Sequence, residues 1–191
     1  MVDLTNIKKF VVARPEGWTL FGNGAAFDQL LETHQAQILF LDNTASKYIW
    51  DFSSNAHLLT GGGWAPFEKG NFKTVEEFTD FRRTDESKQL LKKWLHNRGI
   101  AFDTWVFLLE DGNDQAILTT WKMVIKYSAD LFIMSDLMVF DNTLNWCLYF
   151  FHEDKLFFGK DNVYDITEDH QRMEALNERK KNFPQFKHPF L

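Results

Sequence analysis

Apolar and polar positions are most clearly segregated in residues 137–160, where two polar turns separate three apolar runs. The first run, Leu137–Phe140, ends in the sequence DNT, whose side chains favour turns because they hydrogen-bond nearby backbone. Trp146–Phe151 is apolar almost throughout, which indicates a strand buried on both faces and therefore central in its sheet. The polar sequence HEDK then forms a turn before a third strand, residues 156–158, which Gly159 ends. The pattern predicts a three-stranded meander that other elements must cover.

Further strands are predicted upstream of this meander. Residues 38–41 and 48–52 are β-type runs on either side of a short polar loop, which is typical of a hairpin. Residues 103–110 and 115–119 flank the sequence DGND, which is a clear hairpin signal. Residues 4–14 are compatible with either a short helix or an edge strand, and a proline and a glycine end the element in both cases.

Two consecutive helices are predicted between the upstream strands. The first begins at Thr74, a candidate N-cap with Glu77 in the capping-box position. Its buried stripe would consist of Val75, Phe78 and Phe81. Thr84 or Asp85 caps the second helix, and Gly99 lies where glycine commonly follows a helix end. The inner face of this second helix would consist of Leu90, Leu91, Trp94 and Leu95.

Three more segments show helical spacing. Residues 25–34 predict a small amphipathic helix whose inner side consists of Phe27, Leu30, Leu31 and His34. Residues 120–132 alternate partly as a strand does, but we predict a helix because a strand from 115 to 127 would be unusually long. Residues 168–181 predict a last helix, with acidic residues first and basic residues last, as the helix dipole favours.

Together these elements predict an α+β fold in a single globular domain spanning residues 1–191. The sheet is expected to be mostly antiparallel, with the C-terminal meander and the hairpins flanked by about four to five helices. A chain of 191 residues buries roughly 70% of its unfolded surface, so its core needs no metal or disulfide for stability. The 20 Phe and 7 Trp residues indicate a core of large rings, some of which reach the surface.

The amino-acid composition limits the cellular compartments and the kinds of partner that suit this protein. The first thirty residues contain no apolar run suited to a signal peptide, and no run is long enough to cross a membrane. The single cysteine, Cys147, cannot form an internal disulfide, which fits a reducing compartment. We therefore expect a cytoplasmic protein without membrane contact. The net charge of −6 argues against nucleic-acid binding and suits a basic partner.

The sequence offers few groups suited to catalysis. It contains no G-x-S-x-G, H-E-x-x-H or G-x-G-x-x-G motif, and Cys147 lies in an apolar strand where burial makes a thiol inert. The cluster His152-Glu153-Asp154 is better interpreted as a polar hairpin tip, because adjacent strand residues point to opposite faces. We therefore expect no catalytic residue, metal site or cofactor.

Two further features admit a functional and a structural interpretation. The basic residues Arg82, Arg83, Lys88, Lys92, Lys93 and Arg98 could form an anion or RNA site, but a solvated helix face is favoured. Residues 53–71 form a long irregular stretch with three consecutive glycines beside Trp64. This stretch is either a binding loop with Trp64 as its anchor or a connection whose Trp64 and Phe67 pack onto the core, and the second interpretation is favoured.

The C-terminal pattern resembles part of a known family. A strand ending in Phe-Asp, a strand that begins with Trp, a His-Glu turn and a final Phe-Gly strand are similar to the C-terminal part of small bacterial immunity proteins. These proteins belong to polymorphic-toxin and contact-dependent inhibition systems and include the SUKH-like group. The matching positions are Phe140, Asp141, Trp146, His152, Glu153, Phe158 and Gly159.

The resemblance implies a non-catalytic inhibitor that binds a cognate toxin directly and blocks it. A basic toxin would meet carboxylates in loops near the sheet. The expected contacts are Asp111, Asp114, Glu153 and Asp154, with Trp64 as an apolar anchor. Two other functions remain open: an enzyme or small-molecule-binding protein with a pocket lined by Trp64, Trp105 and Trp121, and a scaffold that self-associates through exposed Phe residues. The sequence leaves the oligomeric state undecided.

Overall fold

A computed structural model describes residues 2–16, 18, 27–68, 70–80, 84–112 and 114–163, together with helical positions within 174–182. The fold is α+β, as predicted, and is built on one eight-stranded sheet in which every strand pair is antiparallel. The strands are β1 (Val11–Val12), β2 (Ile38–Leu41), β3 (Phe72–Phe78), β4 (Trp105–Glu110), β5 (Ile117–Thr120), β6 (Leu137–Phe140), β7 (Trp146–Phe151) and β8 (Lys155–Asn162). Their order across the sheet is β1-β2-β5-β4-β6-β7-β8-β3.

Helices cover both faces of this sheet. The described part of the chain contains α1 (Glu32–Gln35), α2 (Asn43–Asn55), α3 (Asp85–His96), α4 (Trp121–Lys126) and α5 (Ser128–Leu131), and a 3-10 helix, Ile7–Phe10. Along β4, Val106 and Leu108 belong to the core beneath α3, α4 and α5, whereas Phe107 and Leu109 belong to the core beneath α2 and the 3-10 helix. Strand alternation thus divides the core into an α3 face and an α2 face.

The C-terminal meander forms as predicted. Strands β6, β7 and β8 pair in chain order, and all six residues of β7 are buried. The predicted end at Gly159 is wrong, because β8 continues from Lys155 to Asn162. A Cβ atom at Gly159 would lie 2.6 Å from the ring of Phe72. Gly159 therefore permits close packing within a strand and does not terminate it.

The predicted strand at residues 48–52 is wrong, because this segment lies inside helix α2. The Asp42 side chain caps the helix by accepting a hydrogen bond from the Ala45 N–H at 2.8 Å. The buried residues of α2 are Ala45, Ser46, Ile49 and Ser53, whose spacing is helical. This cap and the buried stripe override the β propensity of the sequence YIW.

The predicted helix beginning at Thr74 is also wrong, because residues 72–78 form strand β3. This strand pairs with β8 in a continuous register that includes Val75 opposite Gly159 and Phe78 opposite Leu156. It lies at the edge of the sheet and is largely exposed, so it lacks the alternating pattern that marks a half-buried strand. Tertiary pairing decides its structure over a local capping pattern.

The remaining predictions have mixed outcomes. The 105–120 hairpin, the α3 helix with Thr84 as its N-cap, and the helical structure of 120–132 are confirmed, the last as α4 and α5. Residue Leu90 of α3 is 41% exposed and does not belong to its inner face. The predicted helix at 25–34 is interrupted at Leu31, which is extended and 66% exposed. Residues 4–14 combine the two alternatives, a 3-10 helix followed by β1.

Most of the predicted helix at 168–181 lies outside the described residues, although the described positions within it are helical. Within the part of the chain that is described, none of the helices combines the length and the apolar character that crossing a membrane requires.

Candidate functional site

The topology gathers several turns at one end of the sheet. Glu110 at the end of β4 pairs with Leu137, Leu137 pairs with Phe150, and Phe150 pairs with Leu156. The β4–β5 turn, the segment before β6 and the β7–β8 turn therefore lie at the same end. We call this surface the acidic end and define it by Asp111, Asp114, Asp136, Glu153 and Asp154. It includes all four carboxylates predicted as partner contacts.

Asp136 ties two of these turns together. Its carboxylate accepts hydrogen bonds from the Tyr149 hydroxyl at 2.5 Å, from the His152 backbone N–H at 2.9 Å and from His152 Nδ1 at 2.7 Å. Its backbone carbonyl accepts a hydrogen bond from the Asp111 N–H at 2.8 Å. Because these bonds reach both the β4–β5 turn and the β7–β8 turn, Asp136 links the two turns.

The same contacts shift the acidity of two side chains. Burial alone would raise the pKa of Asp136, but the hydrogen bonds from Tyr149 and His152 outweigh it and hold this pKa below its ordinary value. The pKa of Tyr149 is raised, first by burial and then by its hydrogen bond to the Asp136 carboxylate. The carboxylate is therefore ionised and the tyrosine neutral at physiological pH.

Trp64 is an exposed apolar group beside the acidic end. Its side chain is 60% exposed, although its ring packs edge-on against Phe151 with centroids 5.5 Å apart. Lys155 Nζ lies 4.0 Å from the Trp64 ring centroid and 3.0 Å from the Glu77 carboxylate. The expectation that this loop packs both of its rings onto the core is right for Phe67 and wrong for Trp64.

The backbone geometry before Trp64 favours the exposed position of its ring. Gly63 has a φ of 56°, in the left-handed region that glycine tolerates, and a Cβ atom there would lie 3.0 Å from the Phe151 ring. Met134, two residues before Asp136 in the chain, is 81% exposed and adds another apolar side chain near this end. The acidic end thus has apolar groups beside its carboxylates.

The four predicted carboxylates differ in setting. Asp111 and Asp114 are exposed and line an open cavity of about 630 Å³ against α2, together with Lys47, Trp50 and Asp51. Glu153 is exposed, whereas Asp154 is half-buried with a φ of 58° at the tip of the β7–β8 turn. All four therefore border a surface that a second protein could contact.

The β7–β8 turn contains a histidine whose side chain is oriented by a hydrogen bond. His152 bonds to Asp136, which comes from another part of the chain, and its side chain is 52% exposed. A carboxylate bonded to Nδ1 fixes the orientation of an imidazole, which could then accept or donate a proton.

Cys147 is fully buried, and burial raises the pKa of its thiol, so it supplies no thiolate at neutral pH. Across the described residues, no group of three or more His, Cys, Asp or Glu side chains is arranged to hold a metal ion.

The basic residues that the structure describes do not form one exposed patch. Arg98 is 9% exposed, and its guanidinium lies 4.3 Å from the Trp94 ring centroid. Its Nη1 atom is 2.7 Å from the Glu76 carboxylate without a well-aligned hydrogen bond, so the contact is an ion pair. Lys88 and Lys92 line a cavity of about 410 Å³ that also contains Asp80 and Asp130. Arg82 and Arg83 lie outside the described residues.

The alternative of one pocket lined by Trp64, Trp105 and Trp121 does not fit the positions of these rings. Trp121 is fully buried on the α3 face, whereas Trp105 packs on the α2 face beneath Lys8 Nζ, 3.6 Å from the ring centroid. Trp64 lies at the acidic end. Because the sheet separates Trp105 from Trp121, these rings cannot line one cavity.

Comparison of the sequence with protein-family models and with curated proteins finds no match. Inference about function therefore starts from the geometry of the acidic end.

Sequence reasoning missed Asp136 and Tyr149, which organise this surface. Tyr149 carries the one hydroxyl in the otherwise apolar β7 sequence WCLYFF, and a buried hydroxyl requires a partner. That rule could have predicted a polar partner for Tyr149. It could not have identified Asp136, because the contact depends on the pairing of β6 with β7.

Proposed function

We propose that this protein is a non-catalytic, immunity-type binding protein that neutralises a cognate toxin by direct contact through the acidic end. The observation that carries the proposal is the exposed Trp64, held in place beside a set of carboxylates. Tryptophan is among the residue types that most often dominate binding energy at protein interfaces. A ring that is exposed yet fixed by Phe151 loses little conformational freedom when a partner covers it.

The negative charge of this protein supports a basic partner. The chain has a net charge of −6, and Asp111, Asp114 and Glu153 are exposed carboxylates at one end of the sheet. Complementary charge steers two proteins together and raises the association rate more than it raises affinity. A toxin whose active site binds an anionic substrate would present the matching basic surface. Blocking that surface would inhibit the toxin, and the cytoplasm is where such protection is needed.

The contacts that hold the turns and the Trp64 ring support binding without rearrangement of the loops. The hydrogen bonds of Asp136 hold both the β4–β5 and the β7–β8 turns. The contacts of Trp64 with Phe151 and Lys155 fix the ring between the turn and the loop that carries it. A surface fixed in this way avoids the entropic cost of ordering loops on association.

Co-expression tests the proposal. The protein should co-purify with the product of a neighbouring gene and restore growth to cells that express this product. The double variant Asp111→Lys/Glu153→Lys should fail to rescue at expression levels where wild type succeeds, because it places positive charge against a basic partner. Asp103→Lys, a charge reversal at an exposed site at the opposite end of β4, is the control for position and should still rescue. Absence of rescue by the wild-type protein would count against the proposed function.

A further inference from the structure

Strand β3 has one partner strand only. It pairs with β8 along one side and is the last strand in the order of the sheet. On its other side, the backbone N–H and C=O groups of alternate residues have no strand to pair with among the described residues. Residues 73–77 are all exposed, and Val75 is 48% exposed. An edge of this kind can accept a further strand.

The sequence of β3, FKTVEEF, is complementary to itself when it is read in the opposite direction. About Val75 as the centre, Phe72 corresponds to Phe78, Lys73 to Glu77, and Thr74 to Glu76. We propose that two copies of this chain form a dimer in which their β3 edges pair antiparallel about Val75. A two-fold axis at Val75 would join the two sheets into one.

Cross-strand pairs in this arrangement are favourable. Lys73 of each copy lies opposite Glu77 of the other, so the dimer contains this pair twice, and the two exposed Val75 side chains face each other. Opposite charges and β-branched apolar groups are favourable cross-strand neighbours. The contact is isologous, because the same strand contributes both halves of it.

Intrachain contacts reduce repulsion between the two edges. Glu76 forms an ion pair with Arg98 at 2.7 Å, and Glu77 forms one with Lys155 at 3.0 Å. Each β3 carboxylate thus already has a cation in its own chain. A lysine from the other copy would extend the Glu77 pair into a row of alternating charge. The acidic character of β3 therefore does not oppose the pairing of two copies.

Charge also selects this register. Moving one copy so that Glu76 becomes the centre would place Glu76 opposite Glu76. Moving it so that Thr74 becomes the centre would place Lys73 opposite Val75 and remove both Lys–Glu pairs. Like charges directly opposite each other destabilise a sheet. The centre at Val75 is thus the arrangement that keeps both charge pairs and avoids contact between carboxylates.

Complementary charge reversal provides the test. Lys73→Glu and Glu77→Lys each convert both cross-strand pairs to like-charge pairs, so each variant alone should dimerise at least about tenfold more weakly than wild type. An equimolar mixture of the two variants restores opposite charges at both pairs and should form a heterodimer. Lys93→Glu makes the same charge change on the exposed side of α3 and should leave dimerisation unchanged.

The measurement is sedimentation equilibrium over a concentration series without any toxin, so its result does not depend on the proposed function. Circular dichroism shows whether each variant is folded. Wild type should be dimeric at the upper concentrations, and the mixture of variants should recover this mass. A wild type that is monomeric throughout, or a dimer that neither variant weakens, would overturn the proposal.

Discussion

Asp136 is the residue on which the conformation of the acidic end depends most. It is the acceptor for the Tyr149 hydroxyl and for two donors of His152, and its side chain is 19% exposed. Removing the acceptor of the buried Tyr149 hydroxyl costs about 1–3 kcal/mol, whereas the exposed donors of His152 can bond to water instead. The conformation of the β7–β8 turn is therefore expected to depend on this carboxylate, whereas the β4–β5 turn is bonded to the Asp136 backbone carbonyl.

Replacing Asp136 should lower stability in a pH-dependent way. The pKa of Asp136 in the folded protein is below its ordinary value of 3.8, so its ionised form contributes stability above that pH. This contribution falls as pH decreases from the unfolded pKa through the folded one. Asp136→Asn should therefore be less stable than wild type by about 1–3 kcal/mol at neutral pH, and this difference should shrink below about pH 4.

Urea denaturation at several pH values measures this difference. Asp103→Asn, at an exposed site, should change stability by less than about 0.5 kcal/mol at every pH. A constant difference between Asp136→Asn and wild type down to pH values well below 4 would contradict the proposed role of the ionised carboxylate.

Gly159 is the second residue whose identity the packing requires. A Cβ atom would lie 2.6 Å from the buried Phe72 ring, which itself packs against Phe67 with centroids 4.9 Å apart. Gly159→Ala should therefore cost about 1–3 kcal/mol through overpacking, measured as a lower urea midpoint. Gly62→Ala is the control, since nothing lies within 4 Å of its Cβ position. Equal stability of the two variants would show that Phe72 can move aside.

At the scale of elements, the N-cap of α2 determines that residues 48–52 are helical, although their sequence also favours a strand. Asp42→Ala removes the acceptor for the Ala45 N–H and should lower the free energy of unfolding by about 1 kcal/mol. Asp51→Ala is the matched control, because Asp51 forms an exposed ion pair with Lys47 that contributes little. Thermal denaturation followed by circular dichroism measures both, and a larger effect at Asp51 would contradict this assignment.

Elements with a strong internal pattern could be predicted from the sequence, and elements defined by distant partners could not. Strand β7 and helix α3 carry their own signals: an unbroken apolar run in one case, and the Thr84 cap with Leu91 and Leu95 in the other. Strand β3 has a helical capping pattern, and only its pairing with β8 makes it a strand. Its exposure on both faces leaves no periodicity from which this could be read.

At the scale of the molecule, the candidate site is a product of topology. The sequence indicated Trp64 and the four carboxylates separately, but their convergence depends on the β5-β4-β6-β7-β8 order of the sheet. Residues more than forty positions apart, such as Asp111 and Glu153, lie at the same end of the sheet. Spacing along the chain carries no such information. This also explains why Asp136, which connects the turns, could not be identified beforehand.

We propose that Trp64 and the carboxylates of the acidic end bind a toxin. The dissociation constant of the complex with the product of the neighbouring gene, measured for wild type, Trp64→Ala and Phe102→Ala, tests this binding directly. Phe102 is 51% exposed just before β4, at the other end of the sheet, and serves as the control. Trp64→Ala should weaken binding about 30-fold or more, as expected when a central aromatic contact is lost, whereas Phe102→Ala should bind as wild type does. Equal binding by all three proteins would contradict the account.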